Sequence, residues 1–203
     1  PSNAAGDAIT ITRIAHSSVL IQYRDSVILT DPWFSEKFGY YHGEPLGVGL
    51  AQLPHLAGVL SSHGHYDHFD VETFAAYPDK TVPFFVRAGT GKDATAAGFT
   101  NVHELDTWNE ATIRDFKVTA TPAKHPVPQN TYVIQAGGFT VFFGGDSLLT
   151  PDFKDVVGRF PRIDVALVPV NGITTGMFGG DEVVMNPREA ASLCALLRAD
   201  VSV

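Results

Sequence analysis

The densest group of side chains that could do chemistry is the segment from His63 to His68, which reads His-Gly-His-Tyr-Asp-His. In an extended segment alternate side chains point the same way, so His63 and His65 can bind one metal ion. Asp67 and His68, around a turn, can face a second ion. A polar surface loop is the alternative, but the chain has only 8 histidines, so three within six residues are rarely a coincidence. The segment predicts a metal site.

Two later residues are candidates for the same site. His125 follows the strand-like run 116–121, and Asp146 follows an apolar run that ends in two glycines. Glycines let the backbone come close to a ligand, and a side chain at the end of a strand can project from the edge of a sheet. Each residue alone means little. Their order after the histidine segment makes both of them candidate metal ligands.

Several other short segments accompany these residues: His16 to Ile21 (His-Ser-Ser-Val-Leu-Ile), Asp31-Pro32, Gly145-Asp146-Ser147 and Met185 to Ala190 (Met-Asn-Pro-Arg-Glu-Ala). Together with Ser62 to His68 they resemble the metallo-β-lactamase superfamily. The resemblance is to the branch that includes L-ascorbate-6-phosphate lactonase and N-acylphosphatidylethanolamine phospholipase D. It spans nearly the whole chain, and the histidine segment is its most specific part.

The resemblance implies an α/β fold, a four-layer αββα sandwich with a two-metal site at one edge of the paired sheets. It assigns the ligands as follows: His63, His65 and His125 to one metal, Asp67 and His68 to the other, and Asp146 as a bridge between them. The second metal then lacks one histidine. In relatives of this branch that histidine stands in a Pro-x-His-Tyr-like segment, just where this sequence ends at Val203. We therefore expect the C-terminal strand region to be missing.

Nitrogen and carboxylate ligands without a nearby thiolate favour Zn²⁺, with Mn²⁺ or Fe as alternatives, and we expect two ions in the complete protein. Two ions would lower the pKa of a bridging water and give a metal-activated hydroxide. We expect Asp67 to orient that hydroxide or to relay its proton. His16, His42, Tyr66 and a metal-bound water are all candidates for protonating the leaving group.

Asp31 and Asp70 each have two interpretations. Either could accept the free N–H of a ligand imidazole and so fix its tautomer. An Asp before Pro or at the start of a helix is also a common cap. The sequence leaves both interpretations open for each residue.

The leading functional interpretation is a metal-dependent hydrolase of an ester, lactone or amide small molecule. A phosphodiesterase that acts on a lipid or small nucleotide is second, and a non-catalytic metal-binding or interaction module is third. We expect the loops 34–53 and 171–180 to shape the substrate pocket. Their apolar candidates are Phe34, Phe38, Tyr40, Tyr41, Met177 and Phe178. The nearest basic candidates for holding a phosphate are Lys37 and Lys124.

The sequence predicts the strands and helices that position these residues. Apolar periodicity predicts strands between Ile9 and Leu29 with a turn at Arg24-Asp25, and further strands at 58–60, 82–86, 102–105, 116–121, 132–135, 139–143 and 165–170. Helices are predicted at 71–77, 92–97, 152–159 and after the cap Asn186, where Ala190, Leu193, Cys194 and Leu197 form the buried stripe. No repeat or linker divides the chain, so we predict one domain over residues 1–203, of which 1–4 resemble a tag remnant.

Composition narrows the partners. The formal net charge is -8, and no basic patch is present, so nucleic acid is a poor candidate partner. No apolar run approaches the roughly 18 residues that a membrane span needs. The single cysteine excludes an intrachain disulfide and suits the cytoplasm. We therefore expect a cytoplasmic protein with a small-molecule substrate.

Overall fold

The computed structural model describes residues 8–176 and 179–203. The chain forms two compact units, one made of residues up to 105 together with 112–115, the other of residues 106–111 and 116–203. Each sheet has six strands. No helix within the described ranges is long and apolar enough to cross a membrane.

The sheet of the first unit is mixed. Its strands, in the order in which they lie side by side, are β1 (Ile9–Ala15), β2 (Ser18–Tyr23), β3 (Ser26–Thr30), β4 (Gly58–Leu60), β5 (Phe84–Arg87) and β6 (Val102–Leu105). The first three strands pair antiparallel, and β3 to β6 pair parallel. The connecting segments contain a 3₁₀ turn (Leu50–Gln52) and the short helices α1 (Val71–Phe74) and α2 (Gly91–Ala96).

Strand direction brings several polar residues to one edge of this sheet. Because β2 is antiparallel to both of its neighbours, β1 and β3 run the same way, and β4 is parallel to β3. Their carboxyl ends therefore lie at the same edge. His16 follows β1, Asp31 follows β3, and Ser61 to His63 follow β4.

Aromatic side chains fill the core behind that edge. Phe74 stacks on Phe99 and on Tyr77, with ring centroids 5.3 Å apart in both cases. Phe84 meets Phe99 edge to face at 5.2 Å. Phe34, one of the candidates for substrate contact, is buried in this cluster. The core therefore holds the start of the 34–53 loop against the sheet.

The second unit has the other sheet, except for residues 112 and 113 of its last strand, which belong to the first unit. Its strands, in order, are β12 (Val201–Ser202), β11 (Val165–Leu167), β10 (Phe139–Phe143), β9 (Thr131–Ala136), β8 (Phe116–Thr121) and β7 (Glu110–Ile113). β8 and β10 both pair antiparallel with β9, so they run the same way and end at one edge. His125 follows β8 and Asp146 follows β10. This sheet therefore also presents two candidate ligands at one edge.

Two helices accompany the second sheet, α3 (Phe153–Arg159) and α4 (Pro187–Leu197). The predicted cap of α4 is confirmed, because the Asn186 side chain accepts hydrogen bonds from the backbone N–H groups of residues 188 and 189. Leu193 and Leu197 are buried in the core of this unit, whereas Cys194 is only partly buried.

The structure differs from the element predictions most clearly in three places. The helix predicted at 71–77 ends at Phe74, because its last residues form a tighter turn before Pro78. The strand predicted at 165–170 ends at Leu167, since Pro169 cannot donate to a ladder, and Val170 is 52% exposed. β7 was not predicted, because its Glu and Thr residues interrupt the apolar pattern.

Candidate metal centre

The histidine segment folds as a tight loop directly after β4. The backbone N–H of His68 donates to the carbonyl of His65 at 3.0 Å, which turns the chain back on itself. His63 and His68 are fully buried, while His65 and Asp67 are partly exposed. His63 Nε2 lies 2.9 Å from His65 Nδ1. The loop therefore has buried donors at its two ends and accessible donors between them.

Asp31 anchors this loop. Its carboxylate accepts hydrogen bonds from the Ser62 backbone N–H (2.6 Å), the Ser62 hydroxyl (2.7 Å) and His68 Nδ1 (2.6 Å). Burial raises the pKa of the Asp31 carboxyl, an effect that the neighbouring His68 and the Ser62 hydrogen bonds oppose. Asp31 therefore accepts an imidazole N–H, which is the first of its two interpretations.

The same hydrogen bonds define the tautomers of two histidines. As a carboxylate, Asp31 can only accept, so His68 carries its proton on Nδ1. The Ser62 hydroxyl has a single hydrogen, which goes to Asp31, so it accepts from His63 Nδ1 at 3.0 Å. Both rings in their neutral form then have a lone pair on Nε2, the form that a metal ligand requires.

His16 reaches the same loop from the turn after β1. Its Nε2 atom lies 3.1 Å from His68 Nε2 and 3.6 Å from Asp67 Oδ2. The ring also meets Trp33 edge to face, with centroids 5.7 Å apart. The proximity of His16 to the loop depends on the directions of β1 and β4, which the sequence pattern alone does not define.

Asp70 instead caps a helix, which is the second interpretation. Its side chain accepts a hydrogen bond from the Thr73 N–H at 3.1 Å and so caps α1. It also accepts from the backbone N–H groups of Phe34 (3.1 Å) and Ser35 (3.0 Å). Asp70 thus fixes the beginning of the 34–53 loop and does not bond to a ligand histidine.

The second unit holds His125 and Asp146. His125 Nδ1 lies 3.0 Å from the carbonyl oxygen of Val183, which can only accept, so in the neutral ring Nε2 carries the lone pair. Asp146 is 6% exposed. Their segments are joined by two hydrogen bonds, Lys124 N–H to Ser147 Oγ (2.9 Å) and Leu148 N–H to the Lys124 carbonyl (2.8 Å).

Sequence reasoning missed Ser62, Trp33 and Val183 as partners of the candidate ligands. Ser62 begins the segment from Ser62 to His68, and its position beside His63 was the available signal. The Val183 carbonyl lies 58 residues from His125, and no local pattern indicates that contact.

A cleft of about 600 Å³ lies beside the loop within the first unit. His65, Tyr66, Tyr40 and Lys37 line one part of it. Lys37 Nζ lies 3.5 Å from the centre of the Tyr66 ring, an attractive cation–π contact. Burial raises the pKa of Tyr40, and the Asp67 carboxylate adds to this effect.

The other predicted pocket residues behave differently. Phe38 is 96% exposed and Tyr41 is 63% exposed, so neither is packed into the cleft wall. Met177 and Phe178 lie outside the described residues. The contribution of the 171–180 loop to the substrate pocket therefore stays a prediction.

Ring nitrogens and carboxylate oxygens are suitable donors for Zn²⁺. Within the first unit they form two groups, His63 with His65, and His16 with Asp67 and His68. The donor atoms in each group lie within 4.8 Å of one another. The chemistry and spacing of these donors fit a divalent metal ion.

Comparison with known proteins identifies the family of this chain. A family model described as the beta-lactamase superfamily domain matches residues 26–203. A UPF0173 metal-dependent hydrolase of Anaeromyxobacter dehalogenans is 30% identical, over 96% of this chain and 73% of that protein. An uncharacterized protein of Mycobacterium tuberculosis is also 30% identical, over 94% of this chain. The chain spans only 56% of the length of that relative.

Solved structures give the fold. A possible metal-dependent hydrolase from Veillonella parvula superposes with a TM-score of 0.80 at 19% identity, covering 97% of this chain and 85% of that one. A metallo-beta-lactamase fold protein from Bacillus subtilis superposes with a TM-score of 0.71 at 20% identity, covering 97% and 88%. The chain belongs to the metallo-β-lactamase superfamily. The predicted family and α/β fold class are confirmed, and the narrower branch stays a prediction.

Proposed function

We propose that this chain is a metal-dependent hydrolase that binds two divalent ions, Zn²⁺ being the first candidate. The observation that carries the proposal is the buried loop in which Asp31 and Ser62 hold His63 and His68 with the ring proton on Nδ1 and the lone pair on Nε2. The proposed ligands are those of the sequence prediction: His63, His65, Asp67, His68, His125 and Asp146. The relatives named metal-dependent hydrolases support the same reaction class.

Bound divalent ions would supply Lewis acidity and a water of lowered pKa. Asp67 is the proposed catalytic residue of the chain, because its partly exposed carboxylate can orient an attacking water and accept its proton. The buried ring of His42 lies 4.1 Å from that of Trp33, and its Nε2 atom bonds to none of the described residues. His42 therefore remains a candidate for protonating the leaving group. Tyr66 and His16 are the other candidate side chains.

The proposed substrate is a small ester, lactone or amide. The cleft beside His65 has a volume typical of small-molecule sites. Glu72 and Asp93 also line it, and their charges disfavour a polyanionic substrate. The net charge of -8 also argues against nucleic acid as a substrate.

One observation favours a phosphodiester as the second candidate. The ammonium group of Lys37 lies over the Tyr66 ring at the cleft, where it could pair with a phosphate oxygen. A non-catalytic metal-binding module is the third candidate, and metal binding without any hydrolysis would favour it.

Metal stoichiometry tests the proposal first. Elemental analysis after Zn²⁺ or Mn²⁺ loading should give about two ions per chain, and His63→Ala should lower that number sharply. His55→Ala is the matched control, because His55 is an exposed histidine outside the loop. Absence of bound metal in the unaltered chain, or equal loading of both variants, would contradict a metal centre on this loop.

A substrate panel then separates the candidates. Hydrolysis of lactones, esters or amides without turnover of bis(p-nitrophenyl) phosphate supports the leading proposal. The reverse pattern, lost in Lys37→Ala, identifies a phosphodiesterase. Full metal loading with no turnover of any substrate leaves the binding module.

A further inference from the structure

The turn that carries His16 is short. His16 and Ser17 connect β1 to β2, and Ala15 pairs with Ser18 across the turn. His16 has a φ of +46°, a conformation that glycine adopts without steric cost and that other residues adopt uncommonly. Strained residues of this kind are concentrated at functional sites. The turn thus holds an imidazole where local backbone preference favours glycine.

The His16 side chain faces two candidate metal ligands at ligand-like spacing. Its Nε2 atom, His68 Nε2 and Asp67 Oδ2 form a triangle with sides of 3.1, 3.6 and 4.0 Å. Such a triangle has a point about 2.1 Å from all three corners, and bonds from Zn²⁺ to nitrogen and oxygen are about 2.0–2.2 Å long. One ion could therefore bond to all three atoms with little movement of the side chains.

The tautomer of His68 is consistent with this arrangement. Because Asp31 takes the Nδ1 proton, the Nε2 lone pair of His68 faces His16. The edge-to-face contact with Trp33 also restricts the orientation of the His16 ring. Two ring nitrogens that face each other at 3.1 Å either share a proton or share a cation.

We propose that His16 is a metal ligand, which binds together with Asp67 and His68 to one divalent ion. The proposal rests on the metal-dependent function proposed above. It gives the second ion three protein donors within the first unit. A hydrogen bond from His16 to His68 without metal ligation is the competing interpretation. In that case His16 would only orient the His68 ring or donate a proton.

Zn²⁺ titration of metal-free His16→Gly by calorimetry tests this proposal, because glycine suits the positive φ and should preserve the turn. Removing an outer partner of a ligand weakens metal binding about 10–100-fold, so loss of a direct ligand should weaken the second ion by more than about 100-fold. The ion held by His63 and His65 should remain. Arg24→Gly is the matched control, since Arg24 also has a positive φ (+53°), in the next turn of the same sheet.

The outcomes separate the ligand role from the proposed function. If His16→Gly binds as much Zn²⁺ as the unaltered chain and with equal affinity, the ligand role is wrong, while the proposed function stands as long as His63→Ala loses metal. If the unaltered chain binds no Zn²⁺, both proposals fail. If His16→Gly does not fold, ¹⁵N spectra of the unaltered chain decide: the His16 Nε2 resonance should shift on Zn²⁺ addition, and an unchanged resonance overturns the proposal.

Discussion

The two units hold their candidate ligands in different ways. In the first unit, four donors stand within six residues, and Asp31 connects directly to His68 and through Ser62 to His63. In the second unit, His125 and Asp146 follow separate strands, and backbone and hydroxyl groups of their neighbours join the two segments. A buried carboxylate organises the candidate ligands of the first unit. Strand direction brings together those of the second unit.

This difference predicts different sensitivities to mutation. A buried carboxylate that serves three donors cannot be removed without leaving several polar groups unsatisfied. Removal of a hydroxyl that joins two strand ends leaves only one backbone N–H without its acceptor. It also removes the hydrogen bond that the hydroxyl itself donates. We therefore expect the largest coupled losses of stability and metal affinity around Asp31, and smaller ones around Ser147.

Asp31→Ala should have the largest effect. It leaves the Ser62 N–H, the Ser62 hydroxyl and His68 Nδ1 without their acceptor, which should lower the free energy of unfolding by about 3 kcal/mol. Zn²⁺ affinity should fall about 10–100-fold, because two ligand rings lose their fixed tautomer. Urea unfolding of the metal-free protein and Zn²⁺ titration measure the two quantities separately.

Asp70→Ala is the matched control for that change. Asp70 is an equally buried carboxylate of the first unit, but it bonds to α1 and to the start of the 34–53 loop. It should lose comparable stability and retain most of its Zn²⁺ affinity. Equal losses of affinity in both variants would mean that general loosening of the loop, and not the contact to the histidines, controls metal binding.

Ser147→Ala should have a moderate effect in the second unit. The buried Ser147 hydroxyl accepts the Lys124 N–H one residue before His125, so its removal should cost about 1 kcal/mol. We expect about a tenfold loss of Zn²⁺ affinity if His125 is a ligand. Ser192→Ala, on the exposed face of α4, should change both quantities little. A Zn²⁺ affinity unchanged by Ser147→Ala would count against the role of His125.

The same contrast explains what the sequence could predict. The ligands from His63 to His68 could be identified because all their donors stand in one segment. The two interpretations of Asp31 could not be separated, because its partner His68 lies 37 residues away and the contact depends on parallel pairing of β3 with β4. His16 likewise gave no local signal for its contact with His68.

Fold prediction succeeded and failed for similar physical reasons. β10, which has a continuous apolar run, was predicted at its correct bounds. β7 was missed because its pattern is mixed. Phe34 was a candidate for substrate contact because it begins a loop, but its ring is buried against Phe74, with ring centroids 6.2 Å apart. Whether a loop aromatic faces solvent or core depends on what packs behind it.

The smallest expected effect concerns Tyr40, which reports on the charge of Asp67. Burial and the Asp67 carboxylate both raise the pKa of Tyr40 above its ordinary value of 10.0, because both disfavour the phenolate. Asp67→Asn should therefore lower the pKa of Tyr40, as measured by ultraviolet absorbance against Tyr40→Phe backgrounds. Asp93→Asn is the control, since Asp93 lines the same cleft but is not among the groups that raise this pKa.

The shift in Tyr40 also has a consequence for stability at high pH. A phenol with a higher pKa in the folded state contributes stability that is fully present below about pH 10 and is lost as the pH rises through the folded-state pKa. The free energy of unfolding should therefore decline above pH 10, and less steeply in Asp67→Asn than in the unaltered chain. If Asp67→Asn leaves both the pKa of Tyr40 and this decline unchanged, the Asp67 carboxylate does not act on the cleft, and its proposed role beside the substrate loses support.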